Sequence, residues 1–338
     1  MFKRTLVGIS VAAVTALVLS GCSGSGDGGG AATTSIRIAV GDPAGSSVGL
    51  AATHFAEKVD ELSKGKVKVE VFPDGTLFNG DQNAAVNLLG NGTLDATIIS
   101  TSVYASFEPG MNVISLPYLF EDGDAYAEFL AGEAGDALLE SLKAQNIEGL
   151  AMLTRTPRVT TLNDKAIEKP ADFKGVKIRV PQNELWVKFF SALGAVPTPM
   201  NFSEVYTALQ LGTIDAQENP LEVPVANKFF EVQDHLSLTN HIYDGYVLGF
   251  GQKKFDGYPA DVQKVLQDAA IDTATWKRTE DDKAIEKQLA DIKDRGVKVN
   301  ELTPEATEEF AAIAHELYAG FTPLVGEKFM KYTEALTQ

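Results

Sequence analysis

The sequence predicts an α/β protein built as two similar lobes that face one cleft. Three observations carry this. The first folded stretch alternates strand and helix as β-α-β-α-β, the pattern of a parallel, doubly wound sheet. Two phrases of the first half return in the second half in the same order. Gly65-Lys66-Val67-Lys68-Val69-Glu70-Val71-Phe72-Pro73 is echoed by Gly175-Val176-Lys177-Ile178-Arg179-Val180-Pro181, and Gly92-Thr93-Leu94-Asp95-Ala96 by Gly212-Thr213-Ile214-Asp215-Ala216. About 300 residues remain after the N-terminal segment, enough for two domains. Ligands of open α/β sheets bind beyond the carboxyl ends of the strands. Two such lobes put those ends on either side of one cleft.

The chain opens with a targeting segment. Lys3 and Arg4 precede an apolar run from Leu6 to Leu19, too short for a membrane span, which needs about 20 residues. Leu19-Ser20-Gly21-Cys22 follows, with small residues before the only cysteine. The pattern resembles a bacterial lipoprotein signal, residues 1–21, cut before Cys22 with lipid attached to its thiol. One acyl chain holds a protein only marginally, so such anchors carry several. Residues 22–35 are rich in glycine and serine and read as a flexible tether. With no second cysteine there is no disulfide, and the core must hold the fold.

The elements follow in order. Ile36 to Val40 is a strand and Gly41 to Ser47 a loop. A helix then carries Leu50, Phe55, Val59 and Leu62 near helical spacing, and Lys64-Gly65 ends it. Val67, Val69 and Val71 alternate with Lys68 and Glu70 in a second strand. A helix over 81–89 is broken by Gly90-Asn91-Gly92, and a third strand runs from Leu94 to Ile99. Phe107 to Phe120, with Pro109 and Pro117, is a loop or short helix. Ala125 to Gln145 reads as one helix, and 150–153 as a strand. In the second half, Trp186, Phe189, Phe190 and Leu193 form an apolar stripe. Asn201 and Glu204 have N-cap and N3 spacing for a helix reaching Leu211, with Val205, Leu209 and Leu211 on its apolar positions. Tyr246 to Phe250 is a returning strand. Residues 259–294 form one long charged helical stretch, with a bend or break expected near Asp281-Asp282. A helix from Pro304 carries Phe310, Ile313, Leu317 and Phe321 on one face.

The formal net charge is −17, which becomes −19 once Lys3 and Arg4 leave with the signal segment. That opposes nucleic-acid binding, which wants a basic footprint. It also repels anionic ligands at long range, so an anion site needs its own local cations. Arg179 at the carboxyl end of one strand and Asn219 at the end of another make a plausible grip for a carboxylate. His54, His235, His241 and His315 lack metal-ligand spacing and read as structural or exposed. There is no Walker loop, GxGxxG or GxSxG, so an enzyme is the weaker class.

Four phrases in this order carry a family resemblance: Lys177-Ile178-Arg179-Val180-Pro181, Thr198-Pro199-Met200-Asn201-Phe202-Ser203-Glu204-Val205-Tyr206, Gln217-Glu218-Asn219-Pro220 and Thr239-Asn240-His241. The chain resembles the substrate-binding proteins of tripartite ATP-independent periplasmic (TRAP) transporters, the DctP family. The resemblance implies a two-lobed periplasmic-binding-protein fold with hinge strands and a long lobe-spanning helix. Lobe I is expected over 36–156 and 246–284, lobe II over 157–245 and 285–338. It implies an organic or sugar acid as ligand, with Arg179 holding its carboxylate bidentately, Asn219 beside it and Phe202 as an aromatic wall. Arg158 matches a second family arginine better than Arg155 does. Gln82 and Ser100 stand where sialic-acid binders of the family have acids, which weakens a sialic-acid assignment. Gln182, Asp42, Trp186 and Tyr246 are further wall positions. The partners implied are the membrane subunits of the transporter, and the membrane itself through Cys22. We expect a monomer without a cofactor. The rival readings are a lipoprotein receptor of another transporter class and a ligand-sensing partner of a sensor kinase.

Overall fold

The computed structural model describes residues 34–334 and 336; the signal segment, Cys22 and nearly all of the tether lie outside the described residues. The strands, in chain order, are β1 Thr34–Val40, β2 Val67–Phe72, β3 Ala96–Ser100, β4 Ile147–Leu153, β5 Arg158–Leu162 and β6 Lys177–Val180. They continue with β7 Val196–Pro199, β8 Ala216–Pro220, β9 His235–Leu238, β10 Tyr246–Gly251 and β11 Lys298–Glu301. They form two sheets, ordered β2-β1-β3-β10-β4 and β11-β9-β5-β8-β6-β7. In the first, β1 runs parallel to β2 and β3, and β10 antiparallel to β3 and β4. In the second, β6 runs parallel to β7 and β8, and β5 antiparallel to β8 and β9. The two sheets therefore share one plan, in which each inserts a single strand that comes from the crossover with the other.

The internal repeat is real, but one of its two correspondences is corrected. The Gly-Thr-x-Asp-Ala phrases do match: they open β3 and β8, which hold equivalent places. Asp95 accepts a hydrogen bond from the Arg37 backbone N–H at 3.0 Å, and Asp215 from the Lys177 N–H at 2.8 Å. Ile38 pairs with Ala96 as Ile178 pairs with Ala216. Strand β6 is thus the counterpart of β1, not of β2, which is an edge strand whose counterpart is β7. Alternation of apolar and charged residues marks a strand with one wet face and says nothing about its place in the sheet.

The long helix, Ala260–Asp294, is unbroken. Leu266, Ala269 and Ala270 pack in the core of the first sheet. Further along, Ile292, with Ile285 and Leu289, packs against Val159, Leu221 and Leu236 of the second. Asp281 strengthens the helix where a break was expected. It pairs with Lys277 one turn earlier and accepts from the Ser47 hydroxyl at 2.6 Å.

Other expectations yield to local geometry. The stretch 125–145 is not one helix: Gly132 is extended and separates Gly123–Ala131 from Glu133–Ser141, after which Leu142–Gln145 tightens to a 3₁₀ turn. The C-terminal helix also breaks, into Pro304–Glu316 and Tyr318–Val325, the second containing Pro323. Leu50, Leu62 and Leu211 are exposed, since they fall at the margins of their helical stripes. Asn201 makes no capping bond; a short 3₁₀ turn at Phe202–Glu204 precedes the helix Val205–Gln210. Four strands, β5, β7, β9 and β11, escaped the sequence reading because each is short and has little or no apolar alternation.

Candidate functional site

A cavity lies between the two sheets, lined from both. Strands β1, β3, β6 and β8 all point their carboxyl ends at it. Arg179, the third residue of β6, is buried with only 5% of its surface exposed. Its Nε and Nη2 donate to the Met200 carbonyl at 3.3 and 2.9 Å, and its guanidinium carbon lies 5.8 Å from the centre of the Phe202 ring. Among the described residues no carboxylate forms an ion pair with it, and no group provides a hydrogen-bond partner for Nη1. Burial lowers its pKa to about 10, opposed by the field of Glu218. It remains a cation at neutral pH, and it is the unpaired one.

Arg158, the first residue of β5, is equally buried but fully matched. Its Nε and Nη2 grip Glu218 at 2.5 and 2.8 Å, Nη2 also reaches the Glu218 carbonyl and Asn219 Oδ1, and Nη1 meets Asp244 at 3.1 Å. Arg155 is matched by Glu222 at 3.3 Å and Asp244 at 3.0 Å, and stacks 4.2 Å over the Tyr246 ring. Asp244 Oδ2 therefore bridges both arginines, and it accepts from Ser100 at 2.8 Å as well. Burial raises the carboxyl of Glu218, but Arg158 and His241 outweigh it and hold the pKa near 2. Burial pushes His241 below the ordinary histidine value. Neutral His241 must carry its proton on Nε2, which faces the acceptor-only Glu218 carboxylate at 3.1 Å. Its Nδ1 then accepts from Thr239 at 2.8 Å.

The sequence-derived residues fall as follows. Arg179, Asn219, Arg158, Phe202, Gln182, Gln82, Ser100, Tyr246 and Asp42 all line the cavity. Trp186 does not: it is fully buried in the core, with Arg158 5.5 Å above its ring, so it supports the arginine from behind. Asn219 uses Nδ2 on Gln217 at 2.7 Å. Gln182 accepts from Asn83 at 3.0 Å across the cleft. Burial raises the Asp42 carboxyl, against the hydrogen bond from Asn227 at 3.0 Å and the charge of Arg155.

Sequence reasoning missed the carboxylates Glu218, Glu222 and Asp244, which neutralise the two matched arginines. It also set Arg155 aside, although Arg155 lines the cavity beside Arg158. Glu218 lay inside a quoted phrase and could have been found there. Asp244 carries no local signal, because its partners stand far from it in the chain. No cluster of three or more metal-ligating side chains exists among the described residues. No helix among them is long and apolar enough to cross a membrane.

Two α/β lobes meeting at a polar cavity, with the buried Arg179 unpaired among the described residues, define a two-lobed binding protein with a place for an anion. The chain belongs to the DctP family, the bacterial extracellular solute-binding proteins of family 7, whose model matches residues 39–323. Among its relatives is the 2,3-diketo-L-gulonate-binding periplasmic protein YiaO of Escherichia coli strain K12, 36% identical over 74% of this chain and 76% of that one. Among solved structures, the sugar acid binding protein DctPAm from Advenella mimigardefordensis, in complex with galactonate, is 34% identical with a TM-score of 0.87. That match covers 90% of this chain and 98% of that one. A TRAP periplasmic solute-binding protein from Sulfurospirillum deleyianum with bound succinate is 31% identical with a TM-score of 0.84, covering 90% and 99%.

Proposed function

We propose that this protein is an extracytoplasmic receptor that captures a small organic acid by its carboxylate and delivers it to the membrane subunits of a TRAP transporter. The observation that carries the reading is Arg179. Burying a cation without a counter-ion is costly, and a fold tolerates it where a ligand supplies the missing charge. The planar guanidinium suits a carboxylate, and Nη1 is free to donate. Asn219 and Phe202 complete that end of the cavity. Arg158, also in the cavity wall, fixes Asn219 Oδ1 and holds the Glu218 carboxylate. The similarity to receptors named for a sugar acid, a diketo acid and succinate supports a carboxylate ligand. Lipid on Cys22 would hold the receptor at the membrane surface, as the segment Leu19-Ser20-Gly21-Cys22 suggests.

The test is a thermal-shift screen across organic and sugar acids. A ligand that binds only the folded protein raises the melting temperature by mass action. At least one carboxylate is expected to do so. Two charge-assisted bonds are worth about 3–6 kcal/mol, so Arg179→Ala should weaken binding at least about 100-fold. A screen in which no carboxylate shifts the transition, or an alanine variant that keeps native affinity, would refute the proposal.

A further inference from the structure

We propose that the end of the cavity away from Arg179 accepts a hydroxylated terminus and rejects a second carboxylate, so that the ligand is a polyhydroxy monocarboxylate. This rests on the carboxylate-receptor reading of Arg179 and narrows it. Arg179 and Asp42 have separate charged surroundings. Arg179 lies in the field of Glu218, Arg158 and Glu204, whereas Asp42 lies in that of Arg155, Glu222 and Asp74. Asp42 lies just beyond β1 and Arg179 within β6, the equivalent strands of the two sheets, so they reach the cavity from different sheets.

At the Asp42 end the unpaired groups suit hydroxyls. Asp42 gives Oδ1 to Asn227, leaving Oδ2 as an acceptor without a protein partner among the described residues. The Gln82 amide and the Tyr246 hydroxyl likewise have no hydrogen-bond partner among the described residues. Gln82 stands beside Gly41, where an added Cβ would come within 2.9 Å of its Nε2. A hydroxyl can donate to Asp42 and accept from Gln82 or Tyr246; a carboxylate can only accept. Arg155 is the cation at this end, and Glu222 and Asp244 already hold it. A ligand carboxylate there would meet Asp42 with no free positive charge to offset the repulsion.

Isothermal titration of the purified protein with galactonate, galactarate and succinate decides the matter. The first two differ only in a terminal CH2OH or carboxylate. Galactonate is expected to bind at least about 100-fold more tightly than galactarate and than succinate, since like charges placed together cost several kcal/mol. Asp42→Asn removes the repelling charge at constant shape. It should reduce the galactonate-to-galactarate preference by at least about 10-fold, through both weaker galactonate and tighter galactarate binding. The native ratio needs no variant, so it stands even if the substitution harms folding. Tighter binding of galactarate or succinate than of galactonate overturns this inference and leaves the receptor reading intact. An unchanged preference in Asp42→Asn also overturns it. Binding of none of these nor of any other carboxylate overturns both.

Discussion

Arg158 and Arg179 reach the same cavity from β5 and β6, on either side of β8, and differ in one respect: Glu218 and Asp244 hold the first, and no carboxylate among the described residues holds the second. That difference sets opposite expectations. Glu218→Gln leaves Arg158 undercompensated in the interior, and removal of one partner of a buried pair costs about 3–5 kcal/mol. Urea unfolding should show a loss of that order; a loss below about 1 kcal/mol would mean that Arg158 finds other partners. Arg179 is a strained cation without ligand, since burial pulls its pKa from 12.5 to about 10. Arg179→Met should therefore raise the stability of the ligand-free protein by about 1–2 kcal/mol while abolishing binding. A ligand-free variant less stable than the native chain would contradict this account.

The same residues set an acid limit. Burial depresses His241 below its ordinary 6.5, so the unfolded chain takes up that proton first. Stability then declines as pH falls below about 6.5. Glu218 is held near 2 against an ordinary 4.5, so its contribution is complete above 4.5 and is lost as pH falls toward 2. Both groups act in one direction. Unfolding free energy measured from pH 7 to pH 3 should fall steadily, and the lower arm should flatten in Glu218→Gln. A flat profile in the native protein would rule the linkage out.

At the scale of elements, the repeated Gly-Thr-x-Asp-Ala phrase does the same work twice. Its glycines, Gly92 and Gly212, take positive φ of 79° and 67° to end a helix, where other residues would be strained. Its aspartate then secures a backbone N–H of the neighbouring central strand, that of Arg37 in β1 or of Lys177 in β6. In the second sheet that strand carries Arg179 two residues later. Asp215→Ala should therefore lower stability by about 1–2 kcal/mol through the unpaired Lys177 N–H. It should also loosen the register of β6, read as faster amide exchange at Ile178 and Val180. Exchange unchanged there would show that pairing with β7 and β8 alone fixes the strand.

At the scale of the whole molecule, the cleft is bridged. Asn227 donates to Asp42 at 3.0 Å, Asn83 to Gln182 at 3.0 Å, and Ser106 to the Gln182 carbonyl at 3.1 Å, each linking a first-sheet segment to a second-sheet one. We propose that these contacts bias the protein toward a form in which the two lobes close on the ligand. Asn227→Ala should raise the ligand dissociation rate several-fold with little effect on ligand-free unfolding. An unchanged dissociation rate would remove this bond from the closing device. The chain division at 156/157, 245/246 and 284/285 is our proposal for where the chain passes from one lobe to the other. It is supported by the strands, since β1 to β4 and β10 make one sheet and the others the second.

The sequence by itself determined the fold class, the long helix, the repeat and most of the cavity's wall. The first three rest on periodicity and glycine turns, which act over a few residues; the wall residues were implied by the family resemblance that short phrases such as Gln217-Glu218-Asn219-Pro220 carry. The tertiary structure alone decided which arginine is unpaired, which strand answers to which, and that Trp186 lies behind the site instead of in it. These are questions of what stands opposite a side chain. Asp244 reaches Arg155, Arg158 and Ser100 from far along the chain, and nothing near it in sequence announces those partners. The charge of a buried group is settled by its neighbours in space, and only the fold brings them together.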